Sequence, residues 1–591
     1  MKLGVVLVLA LVPLFLRAQA ESKAIRERHV ISAGWRFQID AADIGQRDGW
    51  YKTEYDRSAW REVTMPRAWD LYETALWGYE GVGWYAAVIP AHSARTDCIQ
   101  RLYFERVNYH TTVWLNGQML GENCDGWMPF EFDVSGLLKP DQVNHLVLRV
   151  DNRPRPDWLP GATRIEWVQY GGLLGPVYLE NHSRTYIADV TVRATSPTIQ
   201  CLIRVGTRVA APLTICAKVS GTESTTNLLV RPDQTSTVAL PLTLSEAKWW
   251  SPNAPHLYEL DVELRANGTL IDRVTQRFGL RRLEVKDRQI VLNGSPIHIR
   301  GVNRYDEYAP YGPNPPRELV LEDLRAMRRA GINTVRVHYP QSPELIDLYD
   351  EMGFMLIEEL PINWWQLHPR GADGPVNDIT SVARATLERM IQRDKNHPCI
   401  IIWSMANESP THTPTGIQTM QALIRRTREL DKTRLVSFVA SHGDLTQHRA
   451  FAEADLVCAN IYAGTLHPPI AQRRGEIEEK VYRATADHLR KATSQFPSKP
   501  FLITEFGTRG ISGLRGDALY TEDFQAECIR AALRAIRETT NVAGCVLWCW
   551  ADYYHRRDFI EYAAYGPYGV VTVDRKPKLA LTVLTEMFNK E

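Results

Sequence analysis

The sequence predicts a multidomain chain: a jelly-roll β-sandwich, an immunoglobulin-like β-sandwich, then a (β/α)8 TIM barrel. Three observations predict this. At 591 residues the chain is too long for one hydrophobic core, because cores stop growing at about 250–300 residues. Near residue 281 the pattern changes from short strands ended by turns to strands alternating with amphipathic helical segments. The later strands number eight, which is the count that closes a parallel sheet on itself.

The elements follow in order. Residues 1–20 combine Lys2, an apolar run from Leu3 to Leu16 and Ala18-Gln19-Ala20. That is the pattern of a secretory signal peptide, and the run is too short to span a bilayer. The expectation is a secreted or periplasmic protein, not inserted in the membrane, whose mature chain starts near Glu21. Residues 21–183 hold alternating segments such as RLYFERV, HTTVWLNGQML and NHLVLRVDN. With the Asn116-Gly117 turn signal they read as the first sandwich. Residues 184–280 repeat short strands over roughly a hundred residues, the size of an immunoglobulin domain, and carry no obvious chemistry. Residues 281–591 supply the barrel strands HIRGVNR, NTVRVHY, FMLIEEL, CIIIWSMANE, RLVSFVA, LVCANIY, PFLITEFG and CVLWCWADY. Segments such as ELVLEDLRAMRRAG and VARATLERMIQRD lie between them as helices.

Composition limits the partners. Lys+Arg and Asp+Glu are each 69, so there is no overall field to favour nucleic acid. The 17 Trp and 24 Tyr suit sugar surfaces as well as cores. None of the nine cysteines forms a CxxC pair, and no metal or cofactor is expected. Cys201 and Cys216 are the pair placed to bridge neighbouring strands. A homo-oligomer stays open.

Strand ends at the C-terminal face of such a barrel carry its chemistry. Glu408 ends the fourth strand and Glu505 the seventh. They stand 505 − 408 = 97 residues apart, so only closure of the barrel brings them together. Two carboxylates flanking one bond are what glycoside hydrolysis requires.

RDKNHPCIIIWSMANES, ELDKTRLVSFV, KPFLITEFG and GVVTVDRKPK, with VLNGSPIHIRGVNR and YGGLLGPVYLE upstream, resemble glycoside hydrolase family 2, in its β-glucuronidase and β-galactosidase branch. The resemblance covers nearly all of the mature chain and implies a retaining mechanism. It makes Glu408 the general acid/base and Glu505 the nucleophile, roughly 5 Å apart. It places Asn407 on the sugar 2-OH, Tyr462 against the nucleophile, Trp548 as an aromatic platform and His338 at the border of the sugar. For Tyr462 and Trp548 plain packing is the alternative. For His338 the segment from Arg336 is one residue shorter than the family pattern, which leaves its strand face open.

Departures from the family bear on the substrate. Where family β-glucuronidases carry Asn-x-Lys for the sugar carboxylate, this chain has Gly566-Pro567-Tyr568. Tyr305 and Asp306 replace a His-Glu pair, and Glu166 replaces an Asp that reaches towards the sugar. The magnesium-type Glu-x-His after the third strand reads ELPINWW. There Trp364 and Trp365 suggest a sugar or aglycone wall, and Glu358 and Glu359 suggest structural residues of the mouth. The expectation is an exo-β-glycosidase for a terminal, non-reducing β-linked sugar, with a neutral sugar such as galactose favoured. The alternatives are a uronidase using Arg304, Arg556 or Arg557 as a substitute cation, and a non-catalytic carbohydrate-binding protein on the same fold.

Overall fold

The computed structural model describes residues 26–163, 165–365, 379–556 and 565–590. The predicted signal peptide and Arg557 lie outside the described residues.

In the first sandwich a four-stranded sheet and a six-stranded sheet enclose a core rich in aromatic rings, among them Trp35, Trp69, Tyr85 and Phe104. The Asn-Gly signal forms its hairpin, joining His110–Leu115 to Gln118–Cys124. Asn116 and Gly117 take φ of 52° and 81°, as a twisted two-residue turn demands. The second sandwich packs three strands on four. In its strand Ala211–Val219 the period-two pattern sends Leu213, Ile215, Ala217 and Val219 into the core. The same alternation turns Cys216 to the opposite face, where its Sγ donates to Glu223 Oε1 at 3.1 Å. Cys201 sits on the other sheet and points into the core, and both thiols are free. Strand parity thus overturns the expected disulfide.

The barrel closes through eight strands. They are β1 (Ile299–Asn303), β2 (Thr334–Arg336), β3 (Met355–Glu359), β4 (Ile400–Asn407), β5 (Leu435–Ala440), β6 (Val457–Asn460), β7 (Phe501–Glu505) and β8 (Val542–Leu547). Every β4 residue is buried, because one face meets the barrel interior and the other the helical ring. Side-chain caps start several helices. Ser342 accepts from Leu345 N ahead of Pro343–Met352, and Thr521 accepts from Phe524 N ahead of Glu522–Glu538. The crossing from β5 to β6 runs through two short 3-10 turns, Leu445–Gln447 and Arg449–Ala452. Among the described residues, no helix is long and apolar enough to cross a membrane.

The last strand starts three residues earlier than the expected CVLWCWADY and stops at Leu547, leaving Trp548 beyond the strand end. Gly544 hides the true start, since glycine interrupts the apolar pattern. It is there for closure. Gly544 pairs with Ile299 of β1 at φ 138°, and a Cβ would lie 2.2 Å from Ile299 O. Gly544→Ala is therefore expected to destabilise the fold by about 2 kcal/mol or more in denaturant unfolding. Gly475→Ala, which meets open space, is expected to change it by less than about 0.5 kcal/mol.

Candidate active site

The C-terminal ends of β1, β2, β3, β4, β6 and β7 converge on one buried guanidinium. Arg336, the last residue of β2, is fully buried and reaches four side chains. Its Nη1 donates to Glu505 Oε1 at 2.8 Å and Asn303 Oδ1 at 3.0 Å. Its Nη2 donates to Glu359 Oε2 and Asn407 Oδ1, both at 2.8 Å. A buried charge is tolerated only when it is paired and hydrogen-bonded, and this one orients a residue from each of four other strands.

Around it the predicted residues assemble. Tyr462 Oη donates to Glu505 Oε2 at 2.7 Å, so both Glu505 carboxylate oxygens are held. His338 Nδ1 lies 2.8 Å from Glu359 Oε1 and its Nε2 3.7 Å from Glu505 Oε1. The ring of Trp167 stacks on His338 with centroids 5.9 Å apart. Asn407 spends one amide hydrogen on Asn363 Oδ1 at 2.7 Å, and its oxygen also accepts from Asn460 Nδ2 at 3.1 Å. Glu408 follows β4 with φ 40°, and Trp364 Nε1, itself at φ 51°, donates to Glu408 Oε2 at 2.9 Å. Positive φ at two bulky residues marks backbone held against its preference.

Glu166 enters from the first sandwich. Tyr553 Oη donates to it, and Trp548 Nε1 donates to Tyr553 Oη at 3.2 Å. Trp548 meets Tyr305 edge-on, with centroids 5.4 Å apart. Burial, with repulsion from Glu505 and Glu408 added and Tyr553 and Arg509 opposing, pushes the Glu166 carboxyl up to about 8. It is therefore chiefly protonated at neutral pH. Burial also raises Glu505, Arg336 pulls it back, and Glu408 adds repulsion. Glu359 goes the other way. Despite burial, Arg336 and His338 hold its carboxyl below the usual carboxylate range.

Two expected participants lie elsewhere. Arg304 donates to Asp306 Oδ1 at 2.9 Å and lies 4.0 Å from Asp323. It lines an interdomain cavity of about 290 Å³ with Trp127 and Arg106, while the residue before it, Asn303, is the one that meets Arg336. Arg556 pairs with Glu80 and Thr163 O. Among the described residues one group, Asp347, Asp350 and His397, has mutual spacing suited to a cation. It sits beside the start of β4, at the other end of the barrel from the carboxylates.

Residues 283–590 match the profile described as glycosyl hydrolases family 2, TIM barrel domain. The chain belongs to glycosyl hydrolase family 2. Residues 185–281 and 26–162 match that family's central and sugar-binding domains, and the chain is a glycoside hydrolase. It is 24% identical to the β-glucuronidase of Mus musculus over 95% of this chain and 91% of that one. The β-glucuronidase of Paenibacillus borealis is likewise 24% identical, over 95% and 96%. Among solved structures, the β-glucuronidase of Ruminococcus gnavus superposes with TM-score 0.85 at 22% identity, covering 95% of this chain and 98% of that one. A family 2 β-galacturonidase from Eisenbergiella tayi, bound to galacturonate, gives 0.83 at 22%, covering 96% and 98%.

Gly566, where the family pattern led to the expectation of Asn-x-Lys, is closely packed. A Cβ there would lie 2.5 Å from His555 Nε2 and 2.9 Å from Tyr553 Cζ. The space an asparagine would fill is taken by rings that support Glu166. Sequence reading missed Tyr553, Asn303, Asn460 and Arg336 as site residues. Of these only Arg336 left a signal, a full charge in the middle of the apolar run TVRV.

Arg336→Ala leaves Glu359 and Glu505 buried without their cation, and is expected to cost about 3–5 kcal/mol in denaturant unfolding. The raised Glu166 carboxyl sets a pH signature. The folded protein holds this proton more tightly than the unfolded chain, so its stabilising contribution is complete below about pH 4.5 and declines until about pH 8. Wild-type melting temperature minus that of Glu166→Gln is expected to fall across that window. A pH-independent difference would show that Glu166 titrates normally.

Proposed function

We propose that the protein is a retaining exo-β-glycosidase acting on terminal β-uronides, glucuronide or galacturonide. The observation that carries the reaction is the Glu505 carboxylate, clamped through both oxygens by Arg336 and Tyr462, in a mouth shared with Glu408. The names of the relatives support the uronide. They weigh against the neutral sugar that the loss of Asn-x-Lys suggested.

In this mechanism Glu408 gives its proton to the glycosidic oxygen while Glu505 attacks the anomeric carbon. The carbon–oxygen bond breaks, the aglycone leaves as an alcohol, and an ester joins the sugar to Glu505. Glu408, now ionised, takes a proton from water. The water oxygen displaces Glu505 from the anomeric carbon, returning both residues to their starting states. Trp364 orients Glu408, and the second Asn407 amide hydrogen serves the sugar 2-OH. Protonated Glu166 can donate to another sugar hydroxyl, which an ionised carboxylate cannot.

Glu505→Ala is expected to lower kcat on nitrophenyl β-uronides by about 10⁴-fold or more. Azide should restore turnover and give the α-glycosyl azide. Glu408→Ala with azide should give the β-anomer, which distinguishes nucleophile from acid/base. Full activity in Glu505→Ala would defeat the reaction assignment. Faster turnover of the β-galactoside than of either uronide would defeat the sugar assignment.

A further inference from the structure

A uronide brings a carboxylate into the pocket, and a carboxylate buried without a cation is costly. The family lysine is a tyrosine here, and the two substitute arginines among the described residues, Arg304 and Arg556, are committed to carboxylates outside the catalytic group. We infer that Arg509, aligned by Tyr568, is the residue that receives the substrate C6 carboxylate. The inference rests on the uronide assignment above.

Its position comes first. Arg509 lies four residues beyond the nucleophile, in the loop that follows β7. Its Nε donates to Tyr568 Oη at 2.7 Å, and its guanidinium carbon lies 5.0 Å from the centre of that ring. Tyr568 occupies the position of the missing lysine. It stacks on Tyr553 at 6.2 Å and 18°, and Tyr553 is the ring whose hydroxyl holds Glu166. The aromatic surface that carries Arg509 is therefore continuous with the support of Glu166.

Charge agrees with position. Arg509 acts on the Glu166 carboxyl to favour its ionised form, so its positive charge is felt inside the pocket. Glu505 and Glu408 act on that carboxyl in the opposite sense, and the His555 ring stands beside it, Nε2 3.5 Å from Glu166 Oε1. An incoming carboxylate adds a second negative charge to a pocket that already holds the ionised Glu505.

Rigidity completes the case. Lys578 Nζ, buried on Asp552, donates to Gly510 O at 2.7 Å and Pro567 O at 3.3 Å. Gln525 Nε2 is shared among Thr508 O, Tyr568 O and Gly569 O at 3.0–3.2 Å. The loop bearing Arg509 and the turn bearing Tyr568 are tied together on both sides. A guanidinium whose plane is set beforehand loses less entropy on taking a carboxylate than a flexible lysine does.

The test compares nitrophenyl β-glucuronide and β-galacturonide with the β-glucoside and β-galactoside, which differ from them at C6. Arg509→Gln is expected to lower kcat/KM on the uronide by about 100-fold, chiefly through KM, and on the neutral sugar by less than about threefold. Arg509→Lys is expected to recover part of that loss. Tyr568→Phe keeps the ring and removes the aligning hydroxyl, and is expected to lower uronide kcat/KM by about three- to tenfold. Parallel losses on uronide and neutral sugar, or an unchanged ratio in Arg509→Gln, would overturn the inference while leaving the uronide assignment standing. A wild-type enzyme that cleaves neither uronide would overturn both.

Discussion

The site depends on one buried cation. The Arg336 guanidinium has no exposure to water and binds two carboxylates and two amides from β7, β3, β1 and β4. Without it, Glu359 and Glu505 would be two negative charges in a medium that screens them poorly. With it, they become the rigid side of a reaction centre. The arrangement also orders the neighbours. Ser404 Oγ donates to Glu359 Oε2 at 2.8 Å and Thr504 Oγ1 to Asn460 Oδ1 at 2.8 Å, so hydroxyls and amides complete the network that the guanidinium starts. Such a network is costly when partly satisfied and specific when complete.

That constraint explains the division of labour among carboxyls. Glu359 lies against both Arg336 and His338 and stays ionised as a structural anion. Glu505 shares Arg336, yet burial and Glu408 raise it, which leaves it a less stabilised anion than a fully paired carboxylate and suits the nucleophile role proposed for it. Glu166, where burial outweighs Tyr553 and Arg509, keeps its proton to about 8. Three environments thus give three protonation behaviours from one residue type, as differential burial and pairing predict.

Much of this was legible in sequence, for physical reasons. Eight short apolar strands with helices between them admit few alternatives to a closed barrel, and the two strand-end glutamates follow from that topology. Boundaries were less legible. Gly544 broke the strand pattern that its own close approach to Ile299 makes possible. The Cys201–Cys216 pairing failed because separation in sequence says nothing about which sheet, or which face, a cysteine occupies. His338 could not be assigned to a face until β2 was seen to end at Arg336. Tyr553 carried no signal at all, since a tyrosine in an aromatic-rich stretch reads as core until its hydroxyl is found on Glu166.

The same geometry separates what is held constant from what is free to change. Arg336, Glu359, Asn407 and Glu505 sit on strands locked to one another by the ladder, so altering any one disturbs the rest. Glu166, Tyr568 and Arg509 sit on loops and on another domain, outside that ladder. Gly566 shows how such a change propagates. With no side chain there, His555 and Tyr553 pack close to Gly566, Tyr553 holds Glu166, and Tyr568 supports Arg509 from the loop after β7. The reaction is set by residues that cannot move independently. In the proposed function the sugar is read by residues outside that ladder, so the group that recognises C6 can change while the ladder and its chemistry stay.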